Sequence, residues 1–258
     1  MLAGKKGIVF GIANDHSIAW GIAKKLSENS ADFAITYQNE NILKRIKPLA
    51  EKINNNFLIE CDFNNPSAIK NCFDIVSQKW NSIDFVIHAV AYSDKNELNG
   101  RYIDTSKDNF INTLDVSCFS FTIISQLASS KMKNGGSLVT LSFYGAKKVM
   151  PNYNVMGIAK SALETSVKYL SVDLGSQDIR VNAISAGPMR TISGAAIAKS
   201  REVYKYTQAH SPLKRNVNLE ELGNTAVYLV SDLSKGISGE IHYVDCGFNI
   251  TGMPKNEL

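Results

Sequence analysis

The chain has 258 residues, of which 44% are hydrophobic and 20% are charged. These proportions are typical of a folded globular protein and exclude an intrinsically disordered chain. The length suits one large α/β domain or two small ones. The formal net charge is +4, and the 28 basic and 24 acidic residues form no block of like charge. A general nucleic-acid-binding face is therefore not indicated.

The cysteines and histidines are scattered along the chain. The four cysteines form no C-x-x-C pair and the four histidines no H-E-x-x-H motif, so neither a metal site nor a disulfide framework is predicted. This cysteine usage is typical of a reducing compartment. The apolar run before Gly11 is too short for a signal peptide, and no apolar run approaches the roughly 20 residues of a membrane span. We therefore predict a soluble cytoplasmic protein.

The N-terminal segment has the order of a nucleotide-binding unit. Residues 7–10 predict a buried strand that ends at Gly11, and Ile18, Ile22 and Leu26 follow at helical spacing. Strand, glycine, short loop and helix is the order that places a pyrophosphate at a helix N-terminus. The glycines do not form G-x-G-x-x-G, so a plain strand–helix turn is the alternative.

Three further strands are predicted in the first half, at residues 32–37, 57–61 and 83–91. After the first of them, Gln38 and Glu40 stand where a dinucleotide fold meets the adenosine ribose. A basic residue there would attract a 2′-phosphate, so these residues favour NADH over NADPH. Asp62 and Phe63 follow the next strand, where adenine usually lies. His88, in the last of the three, is interpreted as a core histidine.

The second half continues the alternation of strands and helices. Strands are predicted at 137–141, 180–185 and 240–245, and helices at 67–79, 108–132, about 150–174 and 220–230. The longer connections, 92–104 and 191–212, would lie at the carboxyl edge of the sheet, where such folds bind ligands. The second is expected to be a mobile helical flap. We therefore predict a single domain, residues 1–258, with a doubly wound parallel sheet and helices on both faces.

Residues 150–163 (M-P-N-Y-N-V-M-G-I-A-K-S-A-L) place a tyrosine and a lysine on one helix. Tyr153 and Lys160 are seven positions apart, which is two helical turns and one face. Pro151 suits the first helical position, and Asn152 is expected to cap the helix. A phenol beside an ammonium combines a neutral acid with a cation that holds a cofactor and lowers the pKa of the phenol. The alternative is an interfacial tyrosine and a solvated lysine.

This order of parts resembles the short-chain dehydrogenase/reductase superfamily. Most of its members carry Tyr-x3-Lys and T-G-x-x-x-G-x-G, whereas this chain has P-N-Y-N-V-M-G-I-A-K and G-I-A-N-D-H-S-I-A-W-G-I-A. With both departures together, the chain is similar to the divergent branch of NADH-dependent enoyl-acyl carrier protein reductases. The likeness also includes T-Y-Q-N, A-G-P-M-R-T and S-G-E-I-H-Y-V-D-C-G, and it covers essentially the whole chain.

The resemblance implies roles for the matching residues. Tyr153 and Lys160 would be catalytic, with Tyr153 hydrogen-bonded to the thioester carbonyl oxygen and Lys160 to the nicotinamide ribose. NADH would be held by Gly11, Ser17, Ile18, Gln38, Asp62, Phe63, Val90, Ala91, Lys160, Met189 and Thr191. The enoyl substrate would contact Ser93, Tyr153, Met156, Ala195 and Ala196, with Ile192 and Ile197 as further apolar residues of its slot.

The implied reaction adds hydride from NADH to the β-carbon of a trans-2-enoyl thioester in bacterial type II fatty-acid elongation. The implied partners are acyl carrier protein and further copies of the chain in a homotetramer. Because acyl carrier protein is acidic, Lys199, Arg201 and Lys205 would steer it, unless they are only a solvated helix face. Two other functions stay open: a short-chain carbonyl reductase of the same fold and a catalytically idle nucleotide-sensing protein.

One position departs from the pattern of the family, which often shows S-Y-x-G-A after the fifth strand. Phe143 stands where an aromatic hydroxyl would precede Tyr153 by ten residues, and Tyr144 follows it. Adjacent side chains on a loop need not point the same way. Tyr144 is therefore not assigned a catalytic role.

Overall fold

A computed structural model describes residues 1–65, 67–191, 194 and 197–253. The strands in these residues are β1 Lys6–Phe10, β2 Asp32–Tyr37, β3 Leu58–Glu60, β4 Phe85–His88, β5 Gly136–Phe143, β6 Ile179–Ala186 and β7 Ile241–Val244. They form one sheet in the order β3-β2-β1-β4-β5-β6-β7, and all neighbouring pairs are parallel. The predicted doubly wound parallel sheet is confirmed.

The helices in the same residues are α1 Ile18–Glu28, α2 Glu40–Lys52, α3 Ala68–Lys79, α4 Lys107–Leu114, α5 Ser120–Ser129, α6 Asn154–Gly175, α7 Ser200–His210 and α8 Leu219–Val230. A π-helical turn, Asp115–Phe119, joins α4 to α5. The resulting run, Lys107–Ser129, is long and apolar enough to cross a membrane, a feature that the sequence did not suggest. Its residues Phe121, Ile124 and Ala128 are fully buried in the protein core, which accounts for their apolar character.

Both faces of the sheet are covered because side chains on both sides of its strands are apolar. On one face Val9 and Ile87 belong to a buried cluster with Ile22 of α1. On the other face Ile8 packs in a second cluster with Phe121. Burial of each such side chain stabilises the fold by roughly 1.5–3 kcal/mol. Near-continuous apolar strands of this kind are typical of a parallel sheet that is covered by helices on both faces.

The strand order reverses between β1 and β4, and the carboxyl ends of these strands flank a crevice. Phe10 pairs with His88, so the segments that follow them begin side by side. Gly11 has a φ of 99°, and a Cβ atom at this position would collide with the carbonyl oxygen of Ala89. Glycine is therefore required where the two chain segments approach each other.

Candidate active site

A cavity of about 1130 Å³ opens at the carboxyl edge of the sheet. Its walls bring together many of the sequence-predicted site residues: Gly11, Ser17, Ile18, Val90, Ala91, Ser93, Tyr153, Met156, Lys160, Met189 and Thr191. Ile197 also lines this cavity. The predicted substrate contacts Ala195, Ala196 and Ile192 lie outside the described residues.

The loop before α1 is organised by Ser17. The backbone N–H groups of Ala13 and Asn14 donate to Ser17 Oγ over 3.1 and 3.0 Å. Because this hydroxyl is turned back toward the loop, it makes no capping hydrogen bond to α1. The first two N–H groups of α1, those of Ile18 and Ala19, are thus left for another acceptor at the cavity wall. A helix N-terminus of this kind favours an anionic group such as a pyrophosphate.

Gln38, Asp62 and Phe63 do not line this cavity; they follow the carboxyl ends of β2 and β3. Gln38 Nε2 donates to Asp62 Oδ1 over 3.1 Å. Desolvation raises the pKa of Asp62, but hydrogen bonds from Asn64 and Gln38 outweigh it, so the pKa is lowered overall. The ring of Phe63 meets Phe10 edge to face, with 5.9 Å between the ring centroids. A negative charge and an aromatic ring therefore stand together where the adenosine end was predicted.

The start of the helix that carries the tyrosine differs from the prediction. The first residue of α6 is Asn154, and Tyr153 occupies the N-cap position. Asn152 does not cap the helix: it has a φ of 57°, and its Nδ2 donates to the carbonyl oxygen of Ala198 over 2.9 Å. Asparagine tolerates this left-handed conformation. The predicted helix start at Pro151 and the predicted Asn152 cap are therefore wrong.

The ring of Tyr153 is held in an apolar pocket. Phe143 meets it nearly edge to face, at 5.1 Å between ring centroids and 71° between ring planes. Leu98 and Met156 belong to the same cluster. Burial raises the pKa of Tyr153, so the phenol is a neutral hydrogen-bond donor at ordinary pH. The prediction that Lys160 lowers this pKa is wrong, because desolvation dominates at this position.

Lys160 is a buried cation, with 6% of its surface exposed. Its Nζ donates to the carbonyl oxygen of Leu141 over 2.7 Å, and the side chain also lines the cavity. Burial lowers the pKa of Lys160 to about 8, against the opposing influence of Cys118 and Glu164. The alternative of a solvated lysine is excluded by this environment.

Two further sequence interpretations are settled by side-chain positions. His88 is fully buried, with Nδ1 2.8 Å from Thr140 Oγ1 and Nε2 3.0 Å from Ser120 Oγ. Desolvation lowers its pKa to about 3, so its interpretation as a neutral core histidine is confirmed. Tyr144 packs against Phe248, at 5.6 Å between ring centroids, whereas Phe143 faces Tyr153. Tyr144 therefore does not replace the hydroxyl that Phe143 lacks.

Asn154 is a site residue that sequence reasoning missed. Its Nδ2 lies 3.1, 3.2 and 3.3 Å from the carbonyl oxygens of Glu97, Asn99 and Gly100. These contacts hold the loop after β4 against the start of α6 and place Leu98 next to Tyr153. The spacing of the sequence gives no signal for this contact, because it joins an isolated asparagine to backbone atoms of a distant loop.

The fold and the site define a class: a dinucleotide-binding oxidoreductase of the short-chain dehydrogenase/reductase type, with a tyrosine and a lysine on the wall of the crevice. Residues 11–249 match the family model described as enoyl-(acyl carrier protein) reductase. With relatives that are 52% and 55% identical to it over nearly its whole length, the chain belongs to the enoyl-(acyl carrier protein) reductase family. The predicted family resemblance is confirmed.

Both relatives are bacterial enzymes. The enoyl-[acyl-carrier-protein] reductase [NADH] 2 of Rhizobium meliloti is 52% identical over 257 residues, covering 100% of this chain and 96% of the relative. The enoyl-[acyl-carrier-protein] reductase [NADH] FabI of Rickettsia felis is 55% identical over 255 residues, covering 99% and 98%.

Solved structures are similarly close. The crystal structure of FabI from Candidatus Liberibacter asiaticus has a TM-score of 0.96 and 52% identity, over 99% of this chain and 100% of that one. The reductase of Anaplasma phagocytophilum, solved in complex with NAD, has a TM-score of 0.96 and 50% identity, over 99% of this chain and 97% of that one.

Proposed function

We propose that Tyr153 and Lys160 catalyse the reduction of trans-2-enoyl thioesters of acyl carrier protein by NADH. The reaction follows from the family: the chain is an NADH-dependent oxidoreductase of fatty-acid synthesis. The assignment of residues rests on one observation, that a buried phenol and a buried ammonium share a cavity with the open N-terminus of α1.

The residues of the cavity fit a dinucleotide. Gly11 lets the segments after β1 and β4 lie close together, and the N–H groups at the start of α1, on the wall of the same cavity, suit a pyrophosphate. Lys160 would bond the nicotinamide ribose, and Val90, Ala91, Met189 and Thr191, which line the same cavity, would surround the nicotinamide. NADH, when bound, supplies the hydride that adds to the β-carbon.

The protein contributes a hydrogen bond to the substrate oxygen. As hydride adds to the β-carbon, negative charge grows on the thioester carbonyl oxygen. Tyr153 would donate to that oxygen, and its raised pKa keeps the proton on the phenol until the charge develops. Lys160, whose ammonium lines the same cavity, adds a positive field and orients the cofactor.

The adenosine end supports NADH as the cofactor. Asp62 is held as a carboxylate by hydrogen bonds from Gln38 and Asn64. A 2′-phosphate at the ribose would be repelled by this carboxylate and would find a neutral amide at Gln38. The names of the relatives specify NADH, in agreement with this preference.

The substrate would enter between the loop after β4 and the segment before α7. Leu98, Met156 and Ile197 lie with Tyr153 in one apolar cluster, which suits an acyl chain. Ser93, on the same loop, lines the cavity. Ala195 and Ala196 remain part of this proposed slot, and residues 191–212 its proposed flap.

Two surfaces support the proposed partners. Lys199, Arg201 and Lys205 are exposed, and the last two border the cavity mouth, which suits acidic acyl carrier protein. Exposed apolar side chains on α4 to α6 suit association into a homotetramer: Ile111, Phe119, Tyr169 and Val172 are 53–80% exposed in the single chain. We propose a cytoplasmic location, as for a soluble enzyme of this family.

The reaction is tested by adding crotonyl thioester to the enzyme with NADH or, in parallel, with NADPH. We expect loss of nicotinamide absorbance with NADH and little loss with NADPH. Turnover of simple ketones instead would favour the carbonyl reductase alternative. If neither cofactor is consumed, even with a longer enoyl chain on acyl carrier protein, the reductase function fails and the nucleotide-sensing alternative gains support.

Lys160→Met tests what the buried ammonium contributes to NADH binding and how much its burial destabilises the folded protein. We expect the Kd for NADH to rise by about tenfold or more, because a charged hydrogen-bond donor is lost. The unliganded variant should nevertheless be more stable at neutral pH, by about 3 kcal/mol, since the folded chain no longer holds a lysine whose pKa is lowered to about 8. The measurements are fluorescence titration with NADH and urea unfolding.

The sign of the pH effect gives an internal check. Below pH 8 Lys160 is protonated in both folded and unfolded chains, and the full cost of its burial is present. Between about 8 and 10.5 the unfolded chain binds more protons at this residue, so the stability of the parent rises with pH. Lys160→Met should lack this rise. A variant that is less stable than the parent and keeps the rise would contradict the assignment.

A further inference from the structure

A buried carboxylate lies one helical turn beyond Lys160 and has no part in the mechanism above. Glu164 is 1% exposed and shares a face of α6 with Lys160, four positions earlier. It is held on two sides: Ser142 Oγ donates to Oε1 over 2.7 Å, and Lys147 Nζ lies 3.0 Å from Oε2. A charge this deeply buried is costly unless it is paired and hydrogen-bonded.

The hydrogen bond to Ser142 connects Glu164 with the catalytic pair through β5. The preceding residue of that strand, Leu141, provides the carbonyl oxygen that accepts from Lys160 Nζ over 2.7 Å. The following residue, Phe143, carries the ring that packs on Tyr153. Lys160 and Glu164 of α6 therefore bond consecutive residues of β5. The next residue of the strand is Phe143, which packs on Tyr153. Displacement of this strand end would move both catalytic groups.

The charges around Lys160 give Glu164 a second effect. The titratable groups that face the ammonium are Cys118 from the π-helical turn, His88 from β4 and Glu164 from α6 itself. Desolvation raises the pKa of the Cys118 thiol and lowers that of His88, so both are neutral near pH 7. The carboxylate of Glu164 is thus the negative charge among these groups, and it opposes the loss of the Lys160 proton. Lys147, 44% exposed, partly neutralises it.

We propose that Glu164 is a positioning residue, whose carboxylate keeps Lys160 charged and fixes the end of β5 that aligns Lys160 with Tyr153. The proposal rests on the proposed role of Lys160 in holding NADH. It requires no contact between Glu164 and either substrate.

Glu164→Gln separates charge from shape, because the amide keeps the size of the side chain and an oxygen to accept from Ser142. The readout is the Kd for NADH, measured by fluorescence from neutral to alkaline pH. In the parent, affinity should fall as Lys160 loses its proton, and this fall defines an alkaline midpoint. In Glu164→Gln the midpoint should move about one unit to lower pH, so that above the midpoint of the parent the affinity is about tenfold lower than that of the parent. Asp173→Asn, which removes an exposed charge from the same helix, should leave the midpoint in place.

Lys147→Met gives the opposite displacement. Removal of this half-exposed cation leaves the Glu164 carboxylate unneutralised, so the alkaline midpoint should move to higher pH. Glu164→Asp keeps the negative charge. Unlike Glu164→Gln, it should therefore have the alkaline midpoint of the parent. These variants also decide the question if Glu164→Gln does not fold.

The outcomes distinguish a failure of the role proposed for Glu164 from a failure of the role proposed for Lys160. An unmoved midpoint in a folded Glu164→Gln, or a fall in the midpoint of Lys147→Met, overturns the role of Glu164 alone. An alkaline fall in affinity that persists in Lys160→Met shows that another group causes it, and this result overturns the roles of both Lys160 and Glu164.

Discussion

Tyr153→Phe is expected to lower kcat for enoyl reduction by roughly 100- to 1000-fold, the usual effect of removing one hydrogen-bond donor to a developing oxyanion. The ring itself should stay in place, because Phe143, Leu98 and Met156 hold it by apolar contact. The hydroxyl is proposed to bond the substrate oxygen and not the cofactor, so the Kd for NADH should remain close to that of the parent. Steady-state kinetics with crotonyl thioester and fluorescence titration with NADH measure the two quantities.

Tyr144→Phe is the matched control. It makes the same chemical change on a ring that packs against Phe248. We expect kcat to stay at the value of the parent. Equal kcat in Tyr153→Phe and the parent would show that another donor serves the substrate oxygen, whereas equal losses in both variants would point to a general disturbance of this region.

The positions of the strands along the chain could be predicted from sequence because each parallel strand is a short apolar run between turn residues. β2 matches its prediction at both ends, Asp32 and Tyr37. β4 is shorter than predicted: it ends at His88, and Val90 and Ala91 leave the sheet to line the cavity. An apolar run thus continues beyond the strand, since hydrophobicity does not distinguish a residue buried in a sheet from one at a ligand-binding wall.

The identity of the site residues could be predicted largely through the family resemblance. The contacts that hold these residues in place could not. Lys160 bonds Leu141, 19 positions away, and Glu164 bonds Ser142, 22 positions away. Helical periodicity places the two side chains on one face of α6 but does not identify the strand that receives them. The start of α6 could not be predicted for a similar reason. The side-chain amide of Asn152 donates to the carbonyl oxygen of Ala198, a contact that depends on tertiary structure.

Gly145→Ala is expected to lower kcat by about 100-fold although residue 145 makes no proposed contact with substrate or cofactor. A Cβ atom at this position would lie 2.5 Å from Cδ1 and 2.7 Å from Cε1 of Tyr153, and 3.2 Å from Cδ1 of Phe143. Both rings would have to move, and Leu98 and Met156 limit where the phenol can go. A misplacement of about 1 Å at a reacting group is enough to cause a loss of this size.

The same substitution at Gly175, the last residue of α6, provides a control because a Cβ atom there meets no other atom within 4 Å. Gly175→Ala should leave kcat unchanged and stability equal or slightly higher, since alanine restricts the unfolded chain. For Gly145→Ala we expect NADH binding close to that of the parent, because the displaced ring is proposed to contact the substrate and not the cofactor. A loss of NADH affinity equal to the loss of kcat would show instead that the substitution disturbs β5 and Lys160. Unchanged kcat would mean that the Tyr153 ring can shift without losing its hydrogen bond to the enoyl oxygen.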